Sequence, residues 1–354
     1  MEGESDITYR HLGEFRVASR RCVILQRSNI KAVLDELAFQ IPRKHIIGPA
    51  FCVYWFVSSV KEGYEVEIGY PVDKGFTSSE VEIIIFPAIE TLSRVHRGPV
   101  ENMREDLLGL YHFASNHAII SDEFRMEIYR DGDDPEGEEI ELLFIIHNWD
   151  KLLARNLKRV LDDSEPRSVV QVEDKPPLLA TVSERFEQVK TMLTRLDTLA
   201  SDDQKYDILS SCAHVFPKSQ INKLRKVFQD AVDSGKDHLQ AVDAVILFMA
   251  NDPGWGEKPR REGHIIYSSK NPRDPGGYEK AENLPEKRKA YCYCPLVRDS
   301  LDKGMPPFFC YCGSGWYRQQ WEGAIGRPVR IKIVASVLTG DEVCTFAIYL
   351  PDDL

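Results

Sequence analysis

The sequence lacks any run of 18 apolar residues, which is about the shortest that a membrane-spanning helix needs. Residues 1–13 are acidic and polar, and they lack the basic head and apolar core of a secretory signal peptide. We therefore expect a protein that is not exported, does not insert into a membrane and is cytoplasmic. Eight cysteines without an export signal predict reduced thiols rather than a disulfide framework.

An excess of positive charge is also missing. The chain has 45 Lys and Arg against 56 Asp and Glu, a formal net charge of −11. A field of this sign repels phosphate backbones and anionic lipid surfaces, so we expect neither nucleic acid nor a membrane among the partners. With 43% apolar and 29% charged residues the chain folds, and 354 residues are enough for two domains.

The N-terminal region contains one pattern twice: a strand, a helix and two further strands. The first copy has strands over 15–27, 51–57 and 64–72, and a helix with Ile30, Val33, Leu34 and Leu37 on one face. The second copy has strands over 81–96, 124–130 and 139–147, with a helix after Gly98-Pro99. This duplicated β-α-β-β order predicts an α+β module: an antiparallel sheet with two helices on one face and a ligand cleft on the other.

The rest of the chain is predicted to form a second domain. An amphipathic helix over 148–161 closes the first domain (1–162), and a linker over 163–180 carries Pro166, Pro176 and Pro177. Residues 181–354 are predicted to form an α+β domain with a helical first part, a long loop over 251–289, and strands at the end.

The second domain is predicted to begin with a helix after Thr181-x-x-Glu184, a potential capping box. Its apolar residues alternate spacings of four and three, namely Val182, Phe186, Val189, Leu193 and Leu196. This spacing fits either an ordinary core-facing helix or a short coiled-coil seam. The second alternative would make the protein a homodimer.

The candidate chemistry of the first domain is a pair of glutamates at equivalent points of the two copies. Glu67 follows Tyr54 by thirteen positions, and Glu141 follows Tyr129 by twelve. If these acids lie on the open face of the sheet, they meet near the pseudo-twofold axis. Aromatic rings beside a carboxylate suit a flat hydrophobic ligand that is cationic or electrophilic. The predicted ligand-binding residues are Tyr54, Trp55, Glu67, Tyr70, Tyr129, Glu141 and Phe144. The alternative is that both glutamates face solvent on strands whose other face is core.

Four stretches resemble the GyrI-like, or AraC-type, effector-binding domains: Ser93-Arg-Val-His-Arg-Gly-Pro99, Gly48-Pro-Ala-Phe-Cys-Val-Tyr54, Glu67-Ile-Gly-Tyr-Pro-Val72 and Phe124-Arg-Met-Glu-Ile-Tyr129. The resemblance covers about residues 15–161. It implies a hydrophobic cleft with an acidic residue, for which Glu141 matches best, and a protein that binds or hydrolyses toxic organic compounds. Ile145 departs from the family's proline. Because only about thirteen residues precede the module, we expect no DNA-binding segment before it.

Two functions fit this module. The first is a protein that binds or sequesters a small hydrophobic organic ligand. The second is a hydrolase in which Glu141 activates water and Tyr129 donates a hydrogen bond to the leaving group or the developing oxyanion. We expect no nucleotide cofactor for either.

The second domain contains two Cys-x-Cys pairs, Cys292 with Cys294 and Cys310 with Cys312, fifteen residues apart. On strands each pair would point both sulfurs one way, and four thiolates could hold zinc or, less readily, an iron–sulfur cluster. The alternatives are reduced structural thiols, or a reactive thiolate at Cys312 near a helix N-terminus. Three stretches resemble the ends of the 4-vinyl reductase and aminothiazoline-carboxylate hydrolase families, which also bind small molecules: Phe309-Cys-Tyr-Cys-Gly-Ser-Gly-Trp-Tyr317, Gly326-Arg-Pro-Val329 and Gly340-Asp-Glu-Val-Cys-Thr-Phe346. This resemblance covers about residues 290–350.

Overall fold

The computed structural model describes residues 6–57, 63–130, 139–161, 169–170, 180–252, 255 and 257–354. The chain folds into two compact units, and the boundary between them lies between His147 and Asn148. The helix that the sequence assigns to the end of the first domain therefore belongs to the second unit. Most of the predicted linker over 163–180 lies outside the described residues.

The first unit is one antiparallel sheet with two helices. Its strands are β1 (Thr8–Leu12), β2 (Phe15–Ile24), β3 (Phe51–Val57), β4 (Tyr64–Pro71), β5 (Glu82–Phe86), β6 (Ile89–Arg97), β7 (Ser121–Tyr129) and β8 (Glu139–Ile146), and its helices are α1 (Asn29–Gln40) and α2 (Met103–Asn116). The strand order is β1-β6-β8-β7-β3-β4-β2-β5. The predicted α+β fold is confirmed. The two copies, β2-α1-β3-β4 and β6-α2-β7-β8, meet where β3 pairs with β7.

Side chains alternate between the two faces of this sheet. The face under the helices carries Cys52, Val66, Ile68 and Leu142, which pack in one buried cluster with Ile30, Leu34 and Leu37 of α1 and Leu110 of α2. We call it the helix face. The opposite face carries a second buried cluster formed by Val17, Phe51, Val53, Phe86, Met126 and Leu143. The central strands therefore carry buried apolar side chains on both faces.

The second unit begins with helices and ends with a small sheet. Its helices are α3 (Trp149–Val160), α4 (Val182–Leu199), α5 (Asp202–Ser210), α6 (Lys218–Asp233), α7 (His238–Asn251), α8 (Pro275–Lys280), α9 (Leu284–Tyr291) and α10 (Tyr311–Ile325). Its strands are β9 (Arg260–Glu262), β10 (Ile265–Ser269), β11 (Arg330–Ala335) and β12 (Thr345–Tyr349), in the order β11-β12-β10-β9. No helix in the described ranges is long and apolar enough to cross a bilayer.

The start of α4 has the predicted capping box between Thr181 and Glu184. Its apolar stripe is buried within the chain itself, since Val189, Leu193 and Leu196 are 0% exposed. Side chains buried in this way have no surface left for a second copy. The structure therefore favours the core-facing helix over the coiled-coil seam.

The predicted loop over 251–289 is wrong, because this segment contains β9, β10, α8 and α9. Two of its prolines begin helices rather than breaking them. Pro275 stands in the first turn of α8 behind the cap Asp274, and Pro285 stands in the first turn of α9 behind the cap Asn283.

Candidate functional site

The sheet divides the predicted ligand-binding residues into two groups. Tyr54, Tyr70, Tyr129 and Phe144 belong to the cluster on the helix face. Trp55 belongs to the cluster on the opposite face, and alternation along β4 and β8 places Glu67 and Glu141 on that face too. No single cleft on one face of the sheet can hold all seven. Each tyrosine and its glutamate lie on different strands, so the spacing between them does not determine which face either residue takes.

Glu141 is held by cations. It is 2% exposed, forms ion pairs with Arg10 and with Arg130 (Nη2 to Oε2, 2.8 Å), and accepts a hydrogen bond from Ser93 (2.9 Å). Burial acts to raise its pKa, but the hydrogen bonds from Arg10, Arg130 and Ser93 outweigh burial, so the pKa is lowered. A carboxylate with a lowered pKa is a weaker base, and Tyr129 lies across the sheet. The structure therefore does not bring the predicted catalytic pair together.

The arginine partners make Glu141 a pH-dependent contributor to stability. Its folded-state pKa is below the ordinary value of 4.5, so its contribution is present above that pH and is lost as the pH falls through the folded-state pKa. We expect Glu141→Gln to lower the free energy of unfolding by about 1–2 kcal/mol at pH 7, since both arginines are partly solvated. Denaturant titration at several pH values should show the loss shrinking under acid. Glu139→Gln, whose partner Arg97 is exposed, serves as the control and should change little.

Glu67 is also buried, but among the described residues its carboxylate has fewer hydrogen-bond and ion-pair partners than that of Glu141. It is 4% exposed, and burial raises its pKa, while Ser19, Arg21 and Trp55 act in the opposite direction. Within the described residues, its Oε1, Ser19 Oγ and Trp55 Nε1 make no hydrogen bond of ordinary length and angle. The Arg21 guanidinium lies 5.1 Å from the Trp55 ring centroid. The first copy therefore holds an acid of raised pKa where the second copy holds an ion-paired one.

The acid on the helix face is Glu127, which our sequence reasoning missed. It lies on β7 directly opposite Cys52 of β3 and is 0% exposed. Its Oε2 accepts hydrogen bonds from the hydroxyls of Tyr54 (3.2 Å) and Tyr129 (3.1 Å) and forms an ion pair with Arg27 Nη1 (2.6 Å). Glu127 precedes Tyr129 by two residues, so strand alternation alone puts the two side chains on one face. That spacing could have identified it.

Two arginines flank this carboxylate. Arg27, from the turn before α1, lies 5.8 Å from the Tyr129 ring centroid, and its Nη1 donates to the Tyr54 hydroxyl (3.2 Å). Arg125 lies 4.4 Å from the Tyr54 ring centroid, with its Nε 3.9 Å from Glu127 Oε1. The two arginine side chains are 17% and 32% exposed. We call these five residues the Glu127 cluster. Its formal charge is +1, and only its arginines reach solvent.

The protonation states in the cluster follow from its burial. Burial and the charge of Glu127 raise the pKa of both Tyr54 and Tyr129 well above 10, so both remain neutral hydrogen-bond donors. Burial opposes the charge of Arg27, but Glu127 and the two tyrosines raise its pKa, so it stays a cation. Glu127 Oε1 accepts no hydrogen bond from the described residues. Oε1, which lies 3.9 Å from Arg125 Nε, is thus a buried acceptor without a hydrogen bond from the described residues.

The two Cys-x-Cys pairs do not lie on strands, so that expectation is wrong. Cys292 and Cys294 follow the end of α9 in extended and turn structure. Cys310 ends a short 3₁₀ turn that begins at Pro307, and Cys312 is the second residue of α10. Proline and the Gly-Ser-Gly that follows Cys312 are accommodated in helical turns here. The i, i+2 alternation on which the prediction rested does not apply in such turns.

The thiols of these pairs bond to nearby polar groups. Cys310 Sγ lies 3.5 Å from Ser336 Oγ, and Cys312 Sγ donates to the carbonyl of Cys212 (3.4 Å). Across the described ranges, no three His, Cys, Asp or Glu residues form a group that could hold a metal ion, so the predicted zinc ligands do not fit. Burial raises the pKa of Cys312 to about 12, which contradicts the expected thiolate at a helix N-terminus. The geometry is that of reduced structural thiols.

Comparisons with known proteins give matches among solved structures alone, since neither a family model nor a curated protein matches the chain. The EcmrR C-terminal domain aligns with a TM-score of 0.35 and 18% identity over 40% of this chain and 96% of that domain. EcmrR bound to DNA aligns with the same score and identity, but the match spans 56% of the EcmrR chain. SAV2435 bound to tetraphenylphosphonium aligns with a TM-score of 0.30 and 11% identity over 41% of this chain and 96% of that one.

Proposed function

We propose that the first unit binds a small organic molecule with a flat apolar surface at the Glu127 cluster. The observation that carries this proposal is the carboxylate itself: Glu127 is 0% exposed in an apolar core, and one of its oxygens accepts no hydrogen bond from the described residues. A buried polar group without a full set of partners is uncommon in folded proteins. A ligand that stacks on a tyrosine and donates to Oε1 would complete the set.

The energetics support a functional role over a purely structural one. Moving an ion pair into an apolar interior costs several kcal/mol per ion, and apolar residues of the same volume often give equal or greater stability. The helix face is otherwise filled with aliphatic side chains such as Ile68 and Leu142. An ion pair and two tyrosine hydroxyls at its centre are therefore not needed to make a stable core, whereas they suit recognition of a polar group on a hydrophobic ligand.

The two arginines of the cluster determine which charge a ligand of this site can carry. Both tyrosine rings have a guanidinium over them, and the cluster carries two positive charges against one negative charge. A cationic ligand would have to displace an arginine from both an aromatic ring and the carboxylate. The site should therefore prefer neutral or anionic ligands. The sequence analysis instead favours a cationic or electrophilic ligand, because it does not place Arg27 in the site. Arg27 lies in a turn, and nothing in the local sequence pattern connects it to the tyrosines.

A neutral dye provides the test. Nile red is flat, uncharged and fluorescent in apolar surroundings, so its titration reports a hydrophobic site without any contribution from charge. We expect saturable binding to the protein and an affinity about fivefold lower in Tyr129→Leu, since stacking on an aromatic side chain contributes about 1 kcal/mol beyond its area. Tyr111→Leu, at an exposed tyrosine of α2, is the matched control and should bind like the parent.

Two results would exclude the proposal. One is the absence of saturable dye binding to the parent protein. The other is equal affinity in Tyr129→Leu and Tyr111→Leu, which would place the dye on the exposed apolar surface instead. Thermal melts of both variants show whether the loss of a buried ring has unfolded the unit.

A further inference from the structure

The second unit contains a cavity of about 650 Å³ between the end of α7, β10 and the start of β12. Its volume lies within the usual range for small-molecule sites. The wall includes Glu257, Tyr267, Ser269, Lys270, Asn271 and Thr345. Most of these groups are polar, so the cavity is built to hold a ligand that makes hydrogen bonds.

Lys270 supplies a positive charge that no described residue neutralises in an ion pair. Its ammonium lies 4.7 Å from the Trp316 ring centroid and 5.1 Å from that of Tyr293. No carboxylate of the described residues lies within 4 Å of it. The two aromatic faces hold the charge in place but do not neutralise it. Lys270 is also one of the wall residues, so its positive charge attracts an anion that enters the cavity.

Glu257, the acid beside Lys270, already accepts a hydrogen bond from another side chain. Ser268 donates a hydrogen bond to Glu257 Oε2 (2.8 Å), and burial raises the pKa of Glu257, although Lys270 and Ser268 oppose that shift. Behind it, the hydroxyl of Tyr317 is buried, with the residue 0% exposed, and makes no hydrogen bond of ordinary geometry to the described residues. Glu257 has its own donor and a second one nearby, so it does not depend on Lys270 for a partner.

We propose that this cavity binds a small organic anion, with its charged group on Lys270 and its other polar atoms on Ser269, Thr345 or Asn271. The Ser269 and Thr345 hydroxyls lie 2.9 Å apart at the wall, and each can still bond to a ligand. The wall carries Lys258, Arg260 and Lys270 against the acids Asp252 and Glu257, so a ligand in the cavity faces more positive than negative groups. The proposal concerns the second unit and does not depend on ligand binding by the first.

Four small aromatic probes separate the possible charges. Benzoate carries a carboxylate and phenyl phosphate carries a phosphate, the two common anionic groups of organic ligands. Benzamide is an uncharged match for benzoate, and benzylamine is cationic. By isothermal titration we expect one or both anions to bind and benzamide to bind at least about tenfold more weakly, because charge-assisted hydrogen bonds are about twice as strong as neutral ones. The anion that binds identifies the charged group as carboxylate or phosphate.

Variants assign the binding to Lys270. Lys270→Met should weaken anion binding at least about tenfold, while Lys270→Arg keeps the charge over the rings and should retain it. Lys332→Met removes a lysine that also lies over an aromatic ring, 5.1 Å from the Tyr349 ring centroid, but is not part of the cavity wall, so it is the control and should bind anions as the parent does. The proposal is overturned if neither anion binds the parent protein at millimolar concentration, or if Lys270→Met binds as the parent does. Benzylamine binding that is lost in Glu257→Gln, without binding of either anion, would also overturn it. The preference of the parent for benzoate over benzamide needs no variant, so it stands as a test even if Lys270→Met does not fold.

Discussion

Arg27→Met should lower the free energy of unfolding of the first unit by about 3–5 kcal/mol, because it leaves the charge of Glu127 buried without its 2.6 Å partner. Methionine keeps most of the apolar stem, so lost packing contributes little. Arg125 does not replace Arg27, since its Nε is 3.9 Å away from the other carboxylate oxygen and the side chain is one-third exposed. Arg97→Met, which breaks an exposed pair with Glu139, should cost under about 1 kcal/mol.

The double variant Arg27→Met with Glu127→Gln separates a missing partner from lost packing. Glutamine removes the buried charge yet keeps an oxygen that the hydroxyls of Tyr54 and Tyr129 can donate to. If the loss in Arg27→Met comes from an uncompensated charge, the double variant should recover most of it, and the coupling energy of the cycle should exceed about 2 kcal/mol. Additive losses in the two single variants would contradict this account.

The measurement must report on the first unit alone, because a chain of two compact units need not unfold in one step. Hydrogen exchange read by mass spectrometry gives this resolution. Peptides from β3 and β7 contain the amides that pair across the centre of the sheet, from Phe51 opposite Ile128 to Tyr54 opposite Arg125. Their exchange should accelerate in Arg27→Met and return toward the parent rate in the double variant, while peptides of the second unit stay unchanged.

The duplicated fold could be predicted because its determinants are local. Period-two strands and a period-3.6 helix recur in the same order in both copies, and each pattern shows within ten to fifteen residues. The edge strand β1 and the break between β5 and β6 were not predicted. The sequence over 81–96 reads as one strand, and Pro87 interrupts it between Phe86 and Ile89.

The site could not be predicted to the same extent, because it depends on pairing between distant strands. Glu67, Glu127 and Glu141 all stand in alternating strands, and local sequence does not say which face is covered by helices. Recurrence in both copies pointed to Glu67 and Glu141, whereas Glu127 has Cys52 opposite it and no acidic counterpart in the first copy. Arg27 comes from a turn one hundred residues away in sequence. Only the assembled sheet places it against Glu127.

Charge selectivity at the Glu127 cluster has a matched pair of probes. Tetraphenylborate and tetraphenylphosphonium have nearly the same size and apolar surface and carry opposite charges, so their affinities differ through electrostatics and hydration. Two unit charges about 5 Å apart interact by about 3 kcal/mol at an effective dielectric constant of about 20. With a cluster charge of +1, we expect the parent protein to bind the borate at least about tenfold more tightly than the phosphonium.

Arg125→Met tests whether the cluster causes that preference. It reduces the formal charge of the cluster to zero and leaves the Arg27 and Glu127 pair intact, so the unit should remain folded. The ratio of borate to phosphonium affinity should fall at least about tenfold relative to the parent, and this comparison cancels any difference in hydration between the probes. Arg104→Met removes an exposed arginine of α2 from the same unit and should leave the ratio unchanged.

The outcomes distinguish the charge preference from the binding function. Equal ratios in Arg125→Met and Arg104→Met would show that the arginines do not select the ligand, even if Nile red binds at Tyr129 as proposed. Failure of Nile red to bind the parent protein would instead remove the binding function itself. A parent protein that prefers the phosphonium would mean that Glu127 releases Arg27 when a cation enters. In that case Arg27→Met, which exposes the carboxylate to the ligand, should bind the phosphonium more tightly still.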